Sequence, residues 1–110
     1  MEIFATRTYE RAICKIASPE VRKAMESVIA ADPLAAPVIP GTGGIRKLRW
    51  AGSGRGKRGG IRTIYFYHAG PQAIYLLTAY AKSAREDLSP EDKKAWTKLV
   101  AAIKREERNR

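Results

Sequence analysis

The chain has 110 residues and a formal net charge of +10, with 21 lysines and arginines against 11 aspartates and glutamates. That length suits one domain (1–110) with a modest core, and an apolar share of 45% argues that the excess charge does not mark a disordered tail. One cysteine excludes an internal disulfide, one histidine beside it leaves no usual nitrogen and sulfur set for a metal, and no apolar run has the length of a signal peptide or membrane span. The expectation is a cytoplasmic protein without membrane contact, metal or cofactor.

Glu2–Ala5 reads as a short strand. After a threonine cap, Tyr9, Ala12, Ile13 and Ile16 recur at the spacing of an amphipathic helix, which also makes Cys14 a small core residue. Ser18-Pro19-Glu20 is a second helix start, and Val21, Ala24, Met25, Val28 and Ile29 carry the apolar stripe on to the stop at Asp32-Pro33. Two helices joined so tightly form a hairpin that must cover a sheet. Ile45–Trp50, Ile61–His68 and Ala73–Ala81 supply strands rich in aromatic and β-branched residues, the last two joined by a turn at Ala69-Gly70-Pro71-Gln72. Ser89-Pro90 opens a last helix with Trp96, Leu99, Val100 and Ile103 as its apolar face and a charged end from Lys104 onward. The fold class is α+β: a small, mostly antiparallel sheet with an N-terminal helical hairpin and a C-terminal helix, the helices expected on one face.

The charge is unevenly placed. Residues 33–85 hold nine basic side chains and no acid, while the rest of the chain carries twelve basic and eleven acidic ones. A contiguous field of one sign fits a phosphate-rich partner, and the glycines clustered in the same stretch let backbone approach it closely. Strand alternation puts Lys47 and Arg49 on one face, with Leu48 and Trp50 on the other. Arg62 opens the next strand, and Lys82 and Arg85 follow the last, so these groups are candidates to converge. Arg46 and the basic loop with Arg55, Lys57 and Arg58 are candidate RNA-binding residues. That loop lacks the Gly-Lys-Ser/Thr ending and following helix of a nucleotide-binding P-loop.

Trp50, Tyr65, Tyr67 and Tyr75 interleave with the charges but suit a core better than base stacking; Tyr80 is the one aromatic candidate for the site. His68 reads as an exposed strand-end residue, so a histidine-pair ribonuclease is excluded. Metal-dependent cleavage needs clustered carboxylates, which the stretch lacks. If the chain cuts RNA it does so with cations: a lysine base whose proton is loosened by crowding, and arginines against the charge on phosphorus.

The strings Gly41-Thr42-Gly43-Gly44-Ile45-Arg46-Lys47-Leu48-Arg49-Trp50, Gly54-Arg55-Gly56-Lys57-Arg58-Gly59-Gly60-Ile61-Arg62-Thr63-Ile64-Tyr65-Phe66-Tyr67 and Ile74-Tyr75-Leu76-Leu77-Thr78-Ala79-Tyr80-Ala81-Lys82 resemble the RelE/ParE superfamily of toxin–antitoxin toxins, HigB-type branch. The resemblance implies the RelE-like microbial RNase fold and a toxin that enters the ribosomal A site and cleaves translated mRNA, halting growth. It also implies a cognate antitoxin, often a helix-turn-helix protein of HigA type. By motif position Lys47 and Arg49 match the family's paired basic residues, Arg62 its phosphate-stabilising arginine, and Lys82 the basic position after the last strand. Ser83 stands where some relatives have arginine, with Arg85 as its substitute, and Asp87-Leu88-Ser89 replaces a tyrosine. Tyr80 and Arg85 are therefore the candidate general acids, and Lys47, Lys57 and Lys82 the candidate bases, since arginine stays protonated. A ParE-type gyrase inhibitor and a non-catalytic RNA-binding module are the alternatives on the same fold.

Overall fold

A computed structural model describes residues 1–51 and 60–108, with side chains through Glu106. The elements run β1 (Glu2–Ala5), α1 (Arg7–Ile16), α2 (Pro19–Ala31), β2 (Ile45–Trp50), β3 (Ile61–His68), β4 (Ala73–Ala81) and α3 (Pro90–Arg108). Local chemistry fixes the helix starts: Thr6, Ser18 and Ser89 each accept a hydrogen bond, from the backbone N–H of Tyr9, Val21 and Asp92 respectively.

The four strands form one sheet in the order β1-β4-β3-β2. β1 lies parallel to β4, and the other two pairings are antiparallel. The parallel pair follows from the hairpin, which carries the chain across the sheet before β2 begins. Arg46 paired with Val38 extends the ladder on the outer edge of β2, where Ile39 donates to the Ile45 carbonyl and Lys47 donates to Pro37.

Helices cover both faces of the sheet, not one. Tyr9, Ile13, Met25 and Ile29 of α1 and α2 pack with Ile61, Tyr65, Ile74, Leu76 and Ala79. On the other side Val100, flanked by Trp96 and Ile103 of α3, packs with Ile45, Ile64, Phe66 and Leu77. The reason lies in β3, where every residue of 61–66 is buried; a strand apolar on both faces needs cover on both. A β-bulge supports this arrangement. Ile64 pairs with Thr78 but Tyr65 pairs with Leu76, so Leu77 is the extra residue and the alternation of β4 changes phase there.

Cys14 is exposed, contrary to the expectation of a core position. It sits about 100° round the helix from buried Ile13, outside the stripe set by Tyr9 and Ile13. The hairpin is tied by Arg22, which bonds both Glu10 and Glu26, and by the Tyr9 hydroxyl, which donates to Glu26 at 2.6 Å.

Candidate functional site

Register brings three candidates into one row across the sheet. Arg49 pairs with Arg62, and Arg62 pairs with Tyr80. Lys47 stands two residues from Arg49 on the same strand and face, opposite Ile64. The bulge matters here. Tyr75 and Tyr80 are five residues apart and would face opposite sides of an unbroken strand, yet both pack with the α3-side core. α3 covers the Phe66 end of this face, and the row occupies the other end.

The segment after β4 then folds back over the row. Ala84 and Arg85 both donate their backbone N–H to the Ala81 carbonyl, at 3.0 and 3.3 Å, which reverses the chain. Asp87 Oδ1 accepts a 2.6 Å bond from Lys47 Nζ, and the Lys47 side chain is 12% exposed where that of Asp87 is 71% exposed. Glu86 brings Oε1 to 3.8 Å from Arg62 Nη2, and its carbonyl accepts from the Tyr80 hydroxyl at 3.3 Å. Arg85 lies 5.6 Å from the Tyr80 ring centre and 3.2 Å from Asp92. The lysine and arginine are held by the sheet; the acids that meet them are on the surface.

These charges set the titration of the face. The hydrogen bond from Lys47 holds the Asp87 carboxyl below the usual range, with the charges of Lys47, Arg49 and Arg62 acting in the same sense. Burial pushes the Tyr80 phenol up, Asp87 adds to this, and Arg62 and Arg85 oppose it. Tyr80 is thus a neutral donor near pH 7, and Asp87 an anion occupying part of the space a phosphate would need.

The other candidates fall elsewhere. Lys82 is exposed, donates its backbone N–H to the Gly60 carbonyl just before β3, and forms no ion pair with a described residue. Arg46 lies on the hairpin face and donates to the carbonyls of Leu34 and Ala36 at 3.0 and 2.6 Å. Arg55, Lys57 and Arg58 lie outside the described residues. Trp50, Tyr65 and Tyr67 join the hairpin-side core and Tyr75 the other, so only Tyr80, 8% exposed, stands in the cationic row. His68 is half-buried beside Phe66, at the opposite end of β3 from Arg62.

Sequence reasoning missed Glu86 and Asp87. They end the acid-free stretch by one position, and the face that is free of acid along the chain is not so in space. The available signal was their adjacency to Arg85 at a strand end, where a turn returns the chain over the strand it has just left.

Fold and site together define a small α+β domain with a cationic row on one end of its sheet. The family model for the RelE toxin of the RelE/RelB toxin–antitoxin system matches residues 1–109, and the chain belongs to that family. Its fold is similar to that of a free-state double arginine-to-alanine mutant of the Escherichia coli toxin RelE, with a TM-score of 0.53 at 15% identity over 77% of this chain and 86% of that one. No helix among the described residues is long and apolar enough to cross a membrane.

Proposed function

We propose that this toxin is a ribosome-dependent, metal-independent mRNA endonuclease of the HigB-type branch, acting in the cytoplasm and neutralised by a small helix-turn-helix antitoxin of HigA type. The observation that carries the reading is the row Arg49–Arg62–Tyr80 with Lys47 beside it. Cleavage by this route forms a bond from a ribose 2′-oxygen to the adjacent phosphorus and breaks the bond from phosphorus to the 5′-oxygen. The products are a 2′,3′-cyclic phosphate and a 5′-hydroxyl. Arg49 and Arg62 offset the charge gathering on the phosphoryl oxygens. Tyr80, held protonated, or Arg85 supplies a proton to the leaving oxygen, and Lys47 or Lys82 is the described candidate to take the 2′ proton. The Asp87 carboxylate sits on the Lys47 ammonium, so incoming phosphate must first displace Asp87.

Ribosomes translating a defined message, incubated with the protein and followed by primer extension, test this. Cuts within translated codons, lost in Arg62→Ala, are the expected result. Growth arrest with intact transcripts rejects the nuclease reading, and blocked supercoiling by gyrase would replace it with the ParE-type one.

A further inference from the structure

Residues 93–105 form a second acid-free stretch, whose charges are Lys93, Lys94, Lys98, Lys104 and Arg105. At 3.6 residues per turn these five fall within about 140° of the circumference of α3, beside the Trp96, Val100 and Ile103 stripe that packs on the sheet. Next to them run residues 41–44. Lys104 Nζ donates to the Gly43 carbonyl at 2.6 Å, and Thr42 bridges its own loop by donating to Ile39 and accepting from Ile45. Loop and helix are thereby pinned together, with a groove of about 340 Å³ between them lined by Gly41, Pro90, Lys93, Lys94, Thr97 and Lys98.

The lining pairs a floor of small residues with a rim of lysines. A side chain at Gly41, whose φ is +77°, would be strained, so the glycine keeps the turn that borders the groove. Lys93, Lys94 and Lys98 form no ion pair with a described residue, whereas three of the four acids at 86–92 are engaged by Lys47, Arg62 and Arg85. Only Glu91 remains near the rim, exposed. The described lining holds lysines, glycine, proline and threonine but no aromatic ring, so it offers charge to a phosphate backbone rather than a platform for stacking an unpaired base. What the lining complements is backbone phosphate with the bases turned inward, which is the surface of double-helical RNA.

We infer that the groove between α3 and residues 41–44 is a second RNA site, binding the phosphodiester backbone of double-helical RNA through Lys93, Lys94 and Lys98. It rests on the reading of the protein as one that acts on RNA, but not on cleavage itself. It holds the domain on structured RNA while a single strand reaches the cationic row.

The test is fluorescence anisotropy of a short, blunt RNA duplex against the full chain across a series of salt concentrations. In the variant Lys93→Gln/Lys94→Gln/Lys98→Gln, affinity at low salt should fall on the order of ten-fold. The slope of log affinity against log salt should become shallower by about two to three, since each phosphate contact contributes roughly 0.7 to 0.9. Arg62→Ala should leave duplex affinity within about two-fold, which separates failure of the groove from failure of the cleavage reading. Exposed Lys98→Gln alone should carry about a third of the slope change and guards against misfolding of the triple variant. Wild-type binding and slope in the triple variant overturn the inference. So does unchanged duplex binding with loss of antitoxin binding, which would make the groove a protein-docking face.

Discussion

The cationic row on the sheet and the groove along α3 are built from the same side chains and differ in what balances them. In the row, Lys47 and Arg62 meet carboxylates from Asp87 and Glu86, and Arg85 beside it meets Asp92, while exposed Arg49 forms no ion pair with a described residue. In the groove, Lys93, Lys94 and Lys98 meet none among the described residues. A second difference is rigidity: Arg62 is 5% exposed and Lys47 is largely covered, while Lys94 and Lys98 stand in solvent. Charges held in fixed positions under removable counter-charges suit a site where geometry at one phosphate matters. Solvated lysines suit backbone contact at many phosphates, where only the field counts.

The largest expected effect breaks that contrast at the row. Arg49→Ala, at an exposed position, and Arg62→Ala should each lower the maximal cleavage rate by about 10²- to 10³-fold, as for the loss of one preorganised donor to a charged transition state. Single-turnover primer extension on ribosome-bound message measures it. The groove triple variant should instead raise the concentration needed for half-maximal rate and leave the maximal rate within about two-fold. Equal losses of maximal rate in both would erase the distinction between the two regions. The melting temperature of Arg62→Ala must be checked first, because its side chain is buried.

A third basic group belongs to neither region and calibrates them. Arg46 holds the chain before β2 against the sheet edge through the carbonyls of Leu34 and Ala36. Arg46→Ala should cost about 1 kcal/mol of stability in denaturant unfolding and leave both single-strand and duplex affinity unchanged. A drop in RNA affinity without a loss of stability would move Arg46 into the site.

The three basic groups also show how far the sequence could be read. All four strands and the helix starts were legible, because cap residues, β-branched runs and a glycine-proline turn act locally. Lys47, Arg49, Arg62 and Tyr80 could be named from strand position and family motif. The side of the sheet on which Tyr80 joins them depends on the bulge at Leu77, which no local pattern announces. The double cover of the sheet was written in the apolar run Ile64-Tyr65-Phe66-Tyr67 of β3, yet the alternation expected of a one-sided sheet concealed it. The groove was invisible for a different reason: a charge sum over residues outside 33–85 is nearly neutral, and only winding 93–105 into a helix separates its cations from the acids before them. Asp87 was hidden likewise, one turn beyond a stretch defined by having no acid.

The smallest effects concern the counter-charge itself. Asp87→Asn removes the anion that meets Lys47, so single-strand RNA affinity should rise about three-fold at low salt and converge with wild type at high salt. Duplex affinity at the groove should not change. The same pair gives the pH dependence its sign. Asp87 is held below its ordinary value of about 3.9, so the pair's contribution to stability is fully present above that value and is lost as pH falls through the lower, folded-state one. From neutral pH down to the ordinary carboxylate range the gap in stability between wild type and Asp87→Asn should therefore stay flat, closing only in stronger acid. A gap that stays flat on into strong acid would mean that Asp87 is not held by Lys47 in solution, and that the row is as unbalanced as the groove.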